Sequence, residues 1–237
     1  MRKGLMMILL MFGWLAFTPS GKDAASAISN SEEARMAMRI FERTGLNKMG
    51  LSMHAWASAF NGYLKLHAEG LLQNARYLSI ADFSKSGGVK RFYVVDLQDT
   101  CVVYHTWVSH GRNSGERYAT RFSNTENSLM SSLGFFITGE TYFGQHGLSL
   151  RLRGQERGFN DQAERRGIVV HGADYVSEKV VNQQGYVGRS WGCPALPEHL
   201  APHVIETIKN GSVLFLYYPS GKYQERSPVL KHQATAG

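Results

Sequence analysis

Apolar residues change their spacing near position 76. Upstream they recur at helical intervals, and downstream they alternate or gather in short runs. Asn30-Ser31-Glu32-Glu33 suits a helix start, because acidic side chains favour the positive end of a helix dipole. Met36, Met38, Ile40 and Phe41 follow, and Thr44-Gly45 ends that helix. A second helix is predicted over 52–69, with Trp56, Phe60, Tyr63, Leu64 and Leu66 on or near one face and Gly70 as its stop. His54 and His67 fall in it and read as packing or surface residues.

Beyond residue 76 the texture is that of strands and turns. Strands are predicted at 77–83, 89–97 and 101–108, with turns at 84–88 and 98–100. Four more are expected at 134–138, 148–152, 167–171 and 213–218. Short strands at this spacing predict a sandwich or barrel rather than alternating βαβ units. One late helix is expected over 196–209, stopping at Asn210-Gly211, and the polar stretch after Pro219 reads as a loose tail. The fold class is therefore mainly β (α+β), with N-terminal helices and one late helix.

The first residues add an address. Arg2 and Lys3 precede an apolar run over 5–17, and Ala25-Ser26-Ala27 follows a short polar stretch. This is the layout of a secretory signal peptide, and thirteen residues are too few for a membrane span of roughly 20. The expected division is 1–27 signal peptide, 28–75 helical segment, 76–220 catalytic domain and 221–237 tail. No second long apolar run exists, so no membrane association is expected after cleavage, and the periplasm or cell envelope is the expected location.

Charge narrows the partners. The chain carries a formal +7, and cleavage after Ala27 would leave 23 basic and 18 acidic residues, a net of +5. An exported basic protein suits an anionic envelope polymer, while scattered basic residues without a basic helix argue against nucleic acid. Of two cysteines, Cys101 opens a strand-like run and reads as a small core residue, whereas Cys193 sits among Gly, Ser and Pro. Contexts so different favour two free thiols over a disulfide.

The chemistry concentrates in Gly167-Ile-Val-Val-His171-Gly172 and Gly188-Arg-Ser190-Trp-Gly192-Cys193-Pro194. A thiol nucleophile needs a base, an exposed sulfur and donors for an oxyanion. An imidazole beside the sulfur lowers the thiol pKa and creates a reactive ion pair. His171 at the end of a buried strand is held in place, and Gly192 lets backbone N–H groups come close to a tetrahedral intermediate. From residues alone, His171 could equally be a satisfied structural histidine and Gly192 a turn residue; His110-Gly111 and His146-Gly147 show how common that dipeptide is.

Strand-His-Gly, some twenty residues and then Ser-x-Gly-Cys resembles the signature of the murein L,D-transpeptidase (YkuD-type) catalytic domain. Ser131-Ser132-Leu133-Gly134, Thr141-Tyr142-Phe143-Gly144 and His146-Gly147-Leu148-Ser149-Leu150-Arg151-Leu152 extend the resemblance over roughly 76–218. It implies an L,D-transpeptidase-like β-sandwich or barrel that needs no cofactor or metal. Cys193 would be the nucleophile and His171 the base, with its other nitrogen held by a backbone carbonyl. Gly192 and Cys193 N–H groups would form the oxyanion hole, Ser190 would brace the site, and Gly172 would allow close approach beside the histidine. The implied partners are peptidoglycan stem peptides, with carbapenem-type β-lactams as inhibitors, and the implied product is a 3→3 crosslink.

One departure is visible. The commoner motif continues after the cysteine with an aliphatic residue and an arginine, where this chain has Pro194-Ala195. Arg166 and Arg189 are the candidates for a substituted contact to substrate carboxylates, against a reading as ordinary surface arginines. Tyr142 and His146 are expected to line the substrate groove, against an aromatic hairpin packed in the core. Three alternatives stand beside the transpeptidase. An L,D-carboxypeptidase would share the thioester. A zinc peptidase would use Glu198, His199 and His203 with Cys193. A wall-binding protein would have no catalysis.

Overall fold

The computed structural model describes residues 21–231. The signal-peptide residues Arg2, Lys3 and 5–17 therefore lie outside the described residues, as do the last six of the predicted tail. Helix α1 spans Gly21–Thr44 and so begins upstream of the polar start expected at Asn30. The reason is local: Ala24, Ala25 and Ala27 are strong helix formers, and nothing between them and Asn30 breaks the backbone ladder. Helix α2, Met53–Ala68, starts where Ser52 caps it by accepting from the Ala55 N–H. The two helices are fastened together by the Trp56 indole N–H, which donates to the Ala37 carbonyl at 2.7 Å.

Eight strands follow: β1 Tyr77–Asp82, β2 Phe92–Asp96, β3 Cys101–Thr106, β4 Gly134–Gly144, β5 Gly147–Gly154, β6 Val169–Ala173, β7 Ala195–Pro197 and β8 Val213–Tyr217. They form one mixed sheet in the order β3-β2-β1-β8-β4-β5-β6-β7. β1 pairs in parallel with β8, and β6 in parallel with β7; the other neighbours are antiparallel.

Period-two alternation divides the side chains between two cores. Leu78, Ile80, Tyr93, Val95, Phe135, Val213 and Phe215 face the first, beneath α1 and α2. Ala81, Phe92, Val94, Phe136, Leu214 and Leu216 face the second, together with Leu150, Leu152, Val170 and Leu196. That second core draws on β1, β2, β4, β5, β6, β7 and β8. Seven flat strands would spread over roughly 30 Å at normal spacing, so the sheet curls around one interior, close to a barrel. Helix α4, Ala201–Ile208, closes that interior with Ala201, Val204, Ile205 and Ile208.

Several elements differ from the sequence reading. The late helix begins at Ala201, not 196, because prolines are tolerated only in a first helical turn. Pro202 occupies that turn, and Leu196 and Pro197 belong to β7 instead. Helix α3, Glu178–Gln184, was not expected. The segment after Pro219 is no loose tail up to its last described residue. It forms helix α5, Gly221–Arg226, and buries Tyr223 and Val229 in the first core. Cys101 is exposed rather than a core residue, because it opens β3, the outermost strand of the sheet. It shares no disulfide with Cys193; both thiols are free.

Candidate active site

His171 lies in the middle of β6 between two neighbours, opposite Ser149 of β5 and Ala195 of β7. Since β7 starts two residues after Cys193, its pairing with β6 brings the Ser190–Cys193 turn beside the histidine. Both side chains line one cavity of about 490 Å³. The imidazole is 2% exposed, and its Nδ1–H donates to the Gly172 carbonyl at 2.8 Å. A carbonyl only accepts, so the Nδ1 position holds the proton and Nε2 is left with a free lone pair. Gly172 does not line the cavity. It contributes its carbonyl and its missing side chain, since a Cβ there would come within 3.1 Å of the Glu198 Cα and 3.3 Å of the Ala201 Cβ.

The Ser190–Cys193 turn is held from within and from behind. Ser190 Oγ donates to the Cys193 carbonyl at 2.6 Å and accepts from the Gly192 N–H at 3.1 Å. Ser131 Oγ donates to the Gly192 carbonyl at 3.1 Å and accepts from the Gly111 N–H at 3.0 Å. Ser109 Oγ lies 3.4 Å from the Cys193 carbonyl and accepts from the Ala195 N–H at 3.2 Å. Gly192 has φ +129°, and a Cβ would sit 2.8 Å from the Met130 carbonyl oxygen. Only glycine makes this turn without displacing the chain behind it. Ser190 Oγ takes up the Gly192 N–H, so that N–H is already spent within the turn. Among the described residues the Cys193 N–H has no such partner, which leaves it available to an oxyanion.

The electrostatics differ from the ion pair expected for a cysteine beside a histidine. Burial pushes the Cys193 thiol up; a backbone hydrogen bond from Val169 and the nearby Arg166 charge pull it partly back. Burial also pushes His171 down, its bond to Gly172 opposes this, and His146 adds to the lowering. Both shifts favour the neutral forms, so the resting site holds a thiol and a neutral imidazole. The thiol donates to the Gly167 carbonyl at 3.7 Å. Such a site suits proton transfer to Nε2 during attack rather than a standing thiolate.

The remaining predicted residues take different places. Tyr142 and His146 line the cavity, at the tip of the β4–β5 hairpin. That hairpin is not packed in the core: Phe143 is 84% exposed, and Arg151 stacks over Tyr142 with 4.6 Å to the ring centroid. Arg189 lines the cavity and spends one nitrogen on the Gly115 carbonyl at 3.3 Å. Arg166 also borders it, but its terminal nitrogens grip the 123–132 loop. They reach the Ser123 carbonyl at 2.8 Å, Ser132 Oγ at 2.5 Å, Ser128 Oγ at 3.2 Å and the Met130 carbonyl at 2.6 Å. A guanidinium so occupied is a brace for the wall behind Cys193, not a ready partner for a substrate carboxylate.

Some contributors escaped the sequence reading. Tyr175 and the 73%-exposed Trp191 line the cavity. Burial and the neighbouring Cys193 push the Tyr175 phenol up to about 12. Ser109 and Ser131 act through hydrogen bonds across 86 and 61 residues of chain, which no local pattern records. His110, in another His-Gly pair, is accounted for elsewhere. Its Nδ1 accepts from the fully buried Arg91 at 2.7 Å, and burial beside that cation pushes its pKa down to about 3. Among the described residues, no three His, Cys, Asp or Glu side chains stand together to hold a metal ion. His199 lies before α4, so the one-face pairing with His203 that a zinc site required is not formed.

Residues 47–217 match the family described as the L,D-transpeptidase catalytic domain. No curated protein matches the chain. Similar solved structures include an L,D-transpeptidase from Mycobacterium smegmatis, at 18% identity and a TM-score of 0.37, covering 60% of this chain and 59% of that one. L,D-transpeptidase 3 from Mycobacterium tuberculosis gives 13% identity and 0.40, covering 60% and 61%. The L,D-transpeptidase (residues 123–326) from Xylanimonas cellulosilytica gives 14% and 0.35, covering 78% and 93%. The chain thus spans about three fifths of the length of the two mycobacterial chains. Because the family match runs from before β1 to the end of β8 and takes in both His171 and Cys193, this chain belongs to the L,D-transpeptidase catalytic-domain family.

Proposed function

We propose that the protein is an exported peptidoglycan-remodelling acyltransferase in which Cys193 is the nucleophile and His171 the general base. The observation that carries this reading is the pinned tautomer of His171, whose Nδ1–H is fixed on the Gly172 carbonyl, in a ring that lines the cavity shared with Cys193. The thiol turns from Gly167 to Nε2, gives up its proton, and Sγ attacks the carbonyl between the L-centre of diaminopimelate and the terminal D-alanine. Negative charge developing on that oxygen is met by the Cys193 N–H. Collapse returns the proton from Nε2 to the departing amine, D-alanine leaves, and a thioester remains. An amine of a neighbouring stem then attacks the thioester and passes its proton to Nε2; as the C–S bond breaks, Nε2 returns that proton to the departing sulfur, leaving a 3→3 crosslink, a free thiol and a neutral imidazole.

Water as the second acceptor would give an L,D-carboxypeptidase from the same intermediate. Incubation of the purified enzyme with disaccharide-tetrapeptides, followed by mass spectrometry, tests the reading. Crosslinked dimers with loss of one D-alanine per bond are expected, and tripeptides alone would assign the carboxypeptidase. No D-alanine release by wild type, or undiminished release by Cys193→Ala, would overturn the assignment of Cys193.

A further inference from the structure

A second cavity, of about 600 Å³, shares no lining residue with the one that holds Cys193. Its walls come from the 120–124 segment, the 157–159 turn and α5. Three cations, Arg157, Lys222 and Arg226, line it, and no acidic residue does. Among the described residues none of the three makes an ion pair. Arg226 sits in the last turn of α5, where a cation is favoured, but the other placements cost the fold. Lys222 and Arg226 are four residues apart on α5, a spacing at which like charges repel. Lys222 stands in the first turn, where the helix dipole disfavours a cation.

The floor is aromatic. Phe122 and Tyr218 meet at 5.0 Å between centroids, and Phe159 stands edge-on to Tyr223 at 5.1 Å. Phe122, Phe159 and Tyr218 all stay partly open to the cavity, whereas Tyr223 is buried with its hydroxyl on Glu156 at 2.8 Å. Flat apolar faces under a ring of free cations match a ligand with a saturated ring to lay on the aromatics and acidic groups to reach the rim.

We propose that this cavity is a second binding site, separate from the cysteine cavity, for an anionic sugar of the cell envelope that bears carboxylate or phosphate groups. It backs onto the active site through one loop. Ser123 lines the basic cavity, and its carbonyl is held by Arg166, which borders the Cys193 cavity. The proposal stands without the thioester chemistry, since none of its residues touches Cys193 or His171.

The test is equilibrium binding to the full mature chain carrying Cys193→Ala, with three probes. A disaccharide-tripeptide supplies carboxylates, a glycerol phosphate oligomer carrying sugar supplies phosphates, and a tetramer of N-acetylglucosamine is the neutral control. Binding by either anionic probe supports the site and identifies the source of the charge, provided that Arg157→Gln/Lys222→Gln/Arg226→Gln weakens it by about tenfold or more. Amide shifts from the bound probe should then cluster at Phe122, Phe159, Tyr218 and α5. In a background with Cys193 intact, the triple variant should keep its rate of thiol alkylation, which separates this site from the catalytic one. Failure of both anions, equal binding of the neutral tetramer, or shifts confined to the residues around His171 would overturn the proposal. The shift map does not need the triple variant, so it decides even if that variant does not fold.

Discussion

The imidazoles of His146 and His171 lie stacked, with centroids 4.3 Å apart and planes inclined by 20°. A positive charge on the His171 ring would be opposed by its burial and by this neighbour. Burial and His146 together hold His171 below the usual histidine range, so its Nε2 stays unprotonated into mildly acidic solution. The acid limb of kcat/KM against pH should therefore fall below about 6.5, the ordinary histidine value. Removing His146 takes away one lowering influence. In His146→Ala the acid limb should move to higher pH, and a limb that stays put would show that the stacked ring does not act on the base.

The thiol gives a complementary expectation. Because burial raises Cys193, the resting enzyme holds little thiolate at neutral pH. Its alkylation by iodoacetamide should still be rising above about pH 8.5, the ordinary thiol value, where an unperturbed thiol begins to level off. Arg166 pulls the thiol down, so Arg166→Gln should shift this profile to still higher pH. It should also cost about 2 kcal/mol of stability, since the 123–132 loop loses four partly buried hydrogen bonds to a charged donor. An unchanged alkylation profile in that variant would separate Arg166 from the sulfur.

Much of this site was legible because its two central residues lie in short local patterns, a buried strand carrying His-Gly and a Ser-x-Gly-Cys turn, although the strand runs on through His171 to Ala173 rather than ending there. The alternation that splits Phe135 from Phe136 between the two cores was legible for the same reason. What stayed hidden depends on distant chain. Cys101 has the sequence surroundings of a core strand, and only the strand order, which leaves β3 at the edge, exposes it. Arg166 looked like a free cation because its acceptors are backbone carbonyls and serines up to 43 residues away. Tyr223 is one aromatic in a polar stretch, and its burial rests on Glu156, 67 residues earlier.

Cys101 now carries the opposite stability prediction from a core residue. Cys101→Ser exchanges one exposed small side chain for another and should change unfolding free energy by less than about 0.5 kcal/mol. Denaturant midpoints for the two proteins should coincide. A loss of several times that amount would mean the residue packs against a surface that β3 does not show.

The C-terminal segment offers the strongest test of the fold. Glu156 is buried and accepts from the Phe135 N–H at 2.7 Å, the Tyr223 hydroxyl at 2.8 Å and the Ser227 hydroxyl. Two of those three donors come from α5 and the turn after it. Burial pushes the Glu156 carboxyl up while its donors pull it down, so removing donors raises it further. A chain ending at Ser220 would lose both hydroxyls and the apolar contacts of Tyr223 and Val229. That truncation should cost at least about 3 kcal/mol, combining an under-satisfied buried carboxyl with an emptied aromatic pocket. The loss should also depend on pH. In the truncated protein Glu156 keeps a folded pKa raised above its unfolded value. Its penalty is therefore absent below the unfolded pKa and grows as pH rises through the folded one. Thermal melts of the two chains should accordingly lie closer together in acid than at neutral pH. Melts separated by the same interval at every pH would place the cost of truncation in packing alone and remove Glu156 from the account.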